Sequence, residues 1–211
     1  MIHEDIKIYH IAHIDCLESM VNYAGIYSNN ECNKRSIHSV NIAYEGIQVR
    51  RAMTLVPCGA RGTLHDYIPF YFAPRSPMLY AIKKDAVAGY HDGQESIIHV
   101  VSSVQPVFKK IPGCVFTDGH AVMALSSFFD SLLHLDKVDW NIMSSEYWND
   151  IQTDGDRRRR RQAEFLVPYF FPLKQVAEIG VMTSGMVEKV RTVLGENGKD
   201  IMVNVHRNWY Y

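Results

Sequence analysis

The sequence predicts an α+β protein with a mixed, largely antiparallel sheet and flanking helices. Strand-like and helix-like segments mix along the chain without the regular βαβ repeat of a parallel-sheet protein. Tyr67–Phe72 reads as an aromatic strand whose proline is compatible with an edge or a ladder break. Phe165–Pro168 is an apolar run that reads as a buried strand, entered directly from five consecutive arginines, Arg157–Arg161.

In chain order, Ile6–Ile11 is expected as the first strand. Asp15 then caps a helix in which Leu17, Met20 and Val21 recur at helical spacing, with Gly25 as the stop. Asn29–Ser39 is polar and turn-rich, hence a loop. Ile42–Met53 carries Ile42, Ile47 and Val49 among polar residues and reads as a short helix or turn ending at Arg50-Arg51. Pro57–Gly62 is a loop. Ile97–Val101 and Val115–Thr117 are further strands, and Val122–Leu133 has the pattern of an amphipathic helix. Trp140–Trp148 is a partly helical approach to the arginines. Glu178–Val181 and Ile201–Val205 complete the strands, with the helix Thr183–Leu194 between them.

Composition bounds the function. The chain has 211 residues, 47% hydrophobic and 21% charged, with a formal net charge of −1. That length suits one domain spanning 1–211 with a sizeable core. Near-neutrality argues against a general electrostatic nucleic-acid binder, so contact with a polyanion must come from a local patch. The cysteines at 16, 32, 58 and 114 lack framework spacing, which points to reduced thiols in a cytoplasmic protein. No apolar run is long enough to span a bilayer, and there is no signal peptide.

Most familiar motifs are missing. His10-x-x-His13-x-x-Cys16 has metal-ligand types but no second pair at tight spacing, so no metal is expected. Gly59-Ala60-Arg61-Gly62 lacks the length and ending of a phosphate loop. Ser76 has no Gly-x-Ser-x-Gly context, and neither Cys58 nor Cys114 has a partner legible in sequence. More specific is Pro69–Tyr80, where prolines fix the backbone around Arg75 among aromatic faces; this suits core packing or a nucleobase with its phosphates. The arginine run reads as a solvated loop. Against that, Glu164 stands where the basic loop turns interior, a carboxylate able to stabilise a developing cation or take a proton.

Taken together the residues resemble the DarT-type bacterial toxins, DNA ADP-ribosyltransferases that use NAD. Nearly the whole chain carries the resemblance: Tyr9-His10-Ile11, Ile47-Gln48-x-Arg50-Arg51, the block from Asp66 to Tyr80, Phe116-Thr117-Asp118, Arg161-Gln162-Ala163-Glu164-Phe165-Leu166-Val167, and Trp209-Tyr210-Tyr211. It implies the split α/β ADP-ribosyltransferase fold, with NAD in a central cleft. It makes Arg51 and Glu164 the catalytic residues. His10, at the end of the first strand, Ala12, Ser19, Arg51 and Tyr71 become NAD-contacting residues. Arg75, Met78, His120 and Arg157, Arg158, Arg159, Arg160 and Arg161 become DNA-facing, with about 148–162 as the target-recognition loop. One departure stands out: Gly119 occupies a position where a basic residue is expected before His120.

The implied reaction breaks the nicotinamide–ribose bond through an oxocarbenium-like state that Glu164 can stabilise. Glu164, or a group it positions, takes the proton of the attacking base. Arg51 holds the NAD phosphates or polarises the acceptor, and sequence leaves both open. The base must be unstacked, which favours single-stranded DNA; the resemblance includes thymidine- and guanosine-directed branches, and the match in the aromatic–proline block favours thymidine. The resemblance also implies a macrodomain antitoxin partner that removes the ADP-ribose. Two competing readings remain: a related transferase acting on RNA or protein, and a non-enzymatic nucleic-acid-binding module.

Overall fold

The computed structural model describes residues 6–211. The chain forms β1 (Lys7–His13), α1 (Cys16–Asn22), β2 (Gly25–Tyr27), α2 (Asn29–Arg35), α3 (Glu45–Met53), β3 (Tyr67–Tyr71), α4 (Pro77–Lys83), β4 (Ile97–Ser103), α5 (Val104–Lys110), β5 (Val115–Thr117) and β6 (Phe128–Phe129). There follow α6 (Trp140–Ser144), α7 (Arg157–Arg160), β7 (Glu164–Pro168), β8 (Phe170–Pro172), β9 (Glu178–Val181), α8 (Ser184–Leu194) and β10 (Met202–Val205). The main sheet runs β10-β9-β4-β1-β3-β7-β5-β6, and β2 pairs with β8 in a small second sheet. Within the main sheet β9 and β10 are parallel and the other described pairs antiparallel, as the mixed composition predicts. None of the described helices is long and apolar enough to cross a membrane.

One junction in this sheet creates the functional cleft. β1 is in register with β4 from Lys7↔Ser103 to His13↔Ile97, but with β3 only at Tyr9↔Tyr71. Past that pair the two strands part. Pro69 lies just beyond it and has no N–H to offer a ladder. Its carbonyl instead accepts a hydrogen bond from the His10 imidazole, Nδ1 to O 2.8 Å. On its other side β3 is continuously paired to β7, from Tyr67↔Pro168 to Tyr71↔Glu164. The buried faces of both halves carry Ile8, Phe70, Phe116 and Phe165, all with no measurable exposure. This core fixes the strands that border the opening.

Three expectations are corrected. His10 lies mid-strand rather than at the strand end, because β1 continues to His13. Asn29–Ser39 contains α2: the Ser28 hydroxyl accepts from Glu31 N, and Glu31 pairs with Lys34 and Arg35 one turn on. Val122–Leu133 is not a helix. Thr117 Oγ1 donates to Gly119 O at 2.7 Å and Ser126 Oγ to His120 O at 2.8 Å, folding the segment into turns. Phe129 then pairs with Phe116 across β5–β6, rings stacked 5.3 Å apart. Leu125 and Leu133, two residues of the apparent apolar face, are 76% and 80% exposed. Local polar bonds and a cross-strand aromatic pair outweigh the helical spacing.

Candidate functional site

Between the parted strands lies a cleft of about 430 Å³, a volume suited to a cofactor-sized ligand. His10, Ala12, Ser19, Arg51 and Tyr71 all line it, together with Met78 and His120. Strand register brings Tyr71 and Glu164 side by side. The last turn of α3 delivers Arg51 from the opposite direction, buried to 8% exposure.

Glu164 is 2% exposed, and both carboxylate oxygens are hydrogen-bonded. Oε2 accepts from Arg51 Nη1 at 2.8 Å. Oε1 accepts from the Ala121 backbone N–H at 3.1 Å and faces His120 Nδ1 at 3.3 Å. Burial alone pushes this carboxyl up, but the Arg51 guanidinium, joined by the hydrogen bond from His120, overrides it and holds the group at about 2. Glu164 is thus a fixed anion immediately behind the cleft-lining Arg51, Tyr71 and His120. The Tyr71 phenol is pushed up by burial and by the adjacent Glu164 charge, so it stays protonated.

Two features fit an elongated polar ligand. Arg51 Nη2 is buried without a protein partner among the described residues, a donor that a ligand oxygen would satisfy. Burial lowers the His10 pKa, partly opposed by the bond to Pro69 O. The imidazole is therefore neutral, donates through Nδ1, and keeps Nε2 as an acceptor. Next to Arg51, His65 Nε2 and Gln48 Oε1 sit 3.1 Å apart on the cleft wall. Sequence reading assigned no role to that pair, although Gln48 lies one turn before Arg51. It also missed the Ala121 N–H on Glu164 and the contact between His120 and Glu164. The Phe116-Thr117-Asp118 block was the available signal, since Thr117 Oγ1 accepts from Glu164 N at 3.1 Å.

The arginine run is not a uniformly solvated loop. Arg157–Arg160 form a helical turn and the five side chains divide by partner. Arg161 is 4% exposed and donates to the carbonyls of Ile142, Met143, Ser145 and Arg75. Arg160 pairs with Asp139 and Asp154. Arg159 is held by Asp156, Asp118 and the Ser126 hydroxyl. Arg157 reaches the carbonyls of Tyr147 and Asn149. Arg158 alone projects an exposed side chain with no protein partner among the described residues. Arg75 stacks over the Tyr211 ring, 4.4 Å to its centroid, and lies 3.9 Å from the Glu146 carboxylate. None of these six arginines lines the cleft, whereas Met78 and His120 do.

Gly119 now has a physical reason. A Cβ there would lie 2.2 Å from Arg159 Nη1. The glycine makes room for a guanidinium delivered from α7, and His120 N donates to Arg159 O at 2.9 Å.

With this geometry in hand, comparison with known proteins is decisive. A family profile described as "ssDNA thymidine ADP-ribosyltransferase, DarT" matches residues 9–211. The chain belongs to the DarT family. It is therefore a DNA ADP-ribosyltransferase by family, and its α+β sheet is the DarT fold. A DNA ADP-ribosyl transferase of Thermus aquaticus is 41% identical over 206 residues, covering 97% of this chain and 88% of the relative. Two solved structures of Thermus sp. 2.9 DarT superpose on the whole molecule. The complex with ADP-ribosylated ssDNA gives a TM-score of 0.90 at 40% identity, covering 99% of this chain and 98% of the other. The complex with NAD+ gives 0.88 at 37%, with full coverage of both. A Thermosipho africanus protein, 26% identical over 198 residues, is a fusion of a DNA ADP-ribosyl transferase with a DNA ADP-ribosyl glycohydrolase. This chain covers 93% of itself in that match and 47% of the fusion. Membership in the DarT family sets aside the non-enzymatic reading.

Proposed function

We propose that this protein transfers ADP-ribose from NAD to a thymidine base of single-stranded DNA, sequence-specifically and with release of nicotinamide. In this reading it acts in the cytoplasm, as one domain, as the toxin of a toxin–antitoxin pair. The observation that carries the assignment is Arg51 on the wall of a cleft opened by the parting of β1 and β3, paired to the buried Glu164 directly behind it. NAD is the ADP-ribose donor, and the residues present fit it: an unsatisfied buried Arg51 Nη2, the acceptor Nε2 of His10, and small side chains at Ala12 and Ser19.

Bound there, NAD supplies a ribose C1′ whose bond to a cationic nicotinamide breaks readily. Glu164, ionised across the whole physiological range, stabilises positive charge developing at C1′. Arg51 keeps that carboxylate charged and oriented through Nη1, and directs Nη2 to a ligand oxygen. Tyr71, protonated and beside Glu164, forms the apolar floor against a planar ring. The bond broken is a glycosidic one, so the chemistry is pentosyl transfer rather than substitution at phosphorus. Arg158, the exposed arginine of the run 157–161, together with Arg75, Arg157, Met78 and His120, meets the DNA strand. The Thermosipho fusion supports a partner that hydrolyses the ADP-ribose from DNA, of the macrodomain kind.

The test is acceptor partition. Purified protein is incubated with labelled NAD and equal amounts of thymidine-containing ssDNA, thymidine-free ssDNA, RNA and protein. Label is expected in the thymidine-containing ssDNA fraction. Label in RNA, protein or guanosine-only DNA instead overturns the acceptor assignment.

A further inference from the structure

We propose that His120 is the general base of the transfer, its Nε2 taking the ring N–H proton of the acceptor base. This rests on the reading of the cleft as an NAD- and DNA-using site. The geometry points to it by orientation. Nδ1 faces Glu164 Oε1 at 3.3 Å, so the Nδ1–H tautomer is the one a carboxylate selects. That leaves the Nε2 lone pair without a protein partner among the described residues, on an imidazole that lines the cleft. The side chain is 16% exposed, so the site is reachable yet shielded.

The other polar groups of the cleft are less suited. Glu164 already receives Arg51, the Ala121 N–H and His120, and stays ionised down to about 2, which makes it a strong electrostatic partner but a weak base. Tyr71 holds its proton. Arg51 has no acceptor. His65 is occupied by Gln48 and is disfavoured as a cation by burial and by the Arg51 charge. His10 has a free Nε2, but its Nδ1 is bound to a neutral carbonyl and burial opposes its protonation. His38 also lines the cleft but has no carboxylate beside it; among the described cleft histidines, His120 alone is paired with a carboxylate that stabilises the imidazolium formed by proton uptake.

The step balances. The ring N–H proton of the base passes to His120 Nε2, and the nitrogen pair so freed forms the new bond to ribose C1′. Nicotinamide departs with the electron pair of the old C1′–N bond and loses its positive charge. The imidazolium, paired with Glu164, then returns its proton to solvent. Arg51 and Glu164 therefore act as orienting members of an Arg–Glu–His relay, in which the histidine touches the acceptor.

The test uses the full chain, thymidine-containing ssDNA and NAD. Single-turnover rates at saturating DNA are measured against pH for wild type, His120→Gln and His120→Ala. Glu164 on β7 faces His120, while Arg51 and Arg50 on α3, Arg159 on α7 and Asp118 in its own segment, together with the cleft-lining Tyr71 and His65, are the titratable and charged groups of the elements around it, and all are retained. The wild-type rate is expected to fall on the acid side through one ionisation. His120→Gln should lose about a hundredfold or more and lack that limb, with its Kd for ssDNA, measured with a non-hydrolysable NAD analogue, within threefold of wild type. Added imidazole should partly restore His120→Ala. A His120→Gln rate within threefold of wild type, a loss confined to the Kd for DNA, or no rescue of a folded His120→Ala would overturn the assignment. If His120→Ala does not fold, the His120→Gln rate and pH profile decide. Wild type that leaves DNA unmodified removes the underlying reading itself, a result distinct from each of these.

Discussion

Breaking the Arg51–Glu164 pair should cost stability as well as activity, and the two costs are separable. The distance between the ordinary carboxyl value of 4.5 and about 2, at about 1.4 kcal/mol per pH unit, favours the ionised form by about 3 kcal/mol. Arg51 supplies the largest favourable share, so Arg51→Met leaves an uncompensated buried carboxylate, a loss typically of about 3–5 kcal/mol. For a chain of this size, about 3 kcal/mol lowers Tm by about 6–12 °C. Glu164→Gln strands the Arg51 charge instead, and the double variant strands neither. The four proteins therefore form a cycle, read by thermal melts at pH 7, in which the double variant melts at least about 1 kcal/mol above the sum of the single losses. The pH dependence follows from the depressed value. The contribution of Glu164 is complete above 4.5 and is lost as pH falls through that value towards about 2. The gap between wild type and Arg51→Met, followed by urea titration, should thus close over that window. Additive losses within about 0.5 kcal/mol, or a gap that does not narrow with acid, would refute the argument.

The arginine run carries three further predictions. Gly119→Ala should displace the Arg159 guanidinium and cost about 1 kcal/mol or more, whereas in an Arg159→Ala background the same change should be close to neutral, both read from Tm. Arg161→Ala, which orphans carbonyls of Ile142, Met143 and Arg75, should cost about 3 kcal/mol. Arg158→Ala should instead leave Tm within about 1–2 °C, equivalent to about 0.5 kcal/mol, and reduce the salt dependence of ssDNA binding by about one phosphate contact, as measured by fluorescence anisotropy across a salt series.

Most strands were legible because strand composition and burial agree: Tyr67–Phe72 became β3, which borders the cleft, and Phe165–Pro168 became β7, which pairs with it. Where periodicity and local bonding competed, as in 122–133, tertiary pairing decided, and no single-sequence signal weighs Phe116 against Phe129. The small pairing of β2 with β8 was invisible for the same reason, since it joins segments far apart in sequence. At the site, Arg51 and Glu164 were singled out by residue type and resemblance, but their direct contact was not legible in the sequence. The arginine run was the least transparent segment. Asp154 and Asp156 stand immediately beside it, and Asp118 and Asp139 arrive from elsewhere in the fold. These four carboxylates account for why Arg159 and Arg160 are tied to the protein and Arg158 is not.

The most direct test of the central claim is intact-mass analysis of defined oligonucleotides after incubation with the protein and NAD, in parallel with Glu164→Gln. The account predicts a single ADP-ribosyl increment on thymidine-containing ssDNA with wild type, stoichiometric release of nicotinamide, and an unmodified oligonucleotide with the folded variant. Unmodified DNA across a panel of thymidine contexts with wild type, or an equal increment with Glu164→Gln, would contradict it.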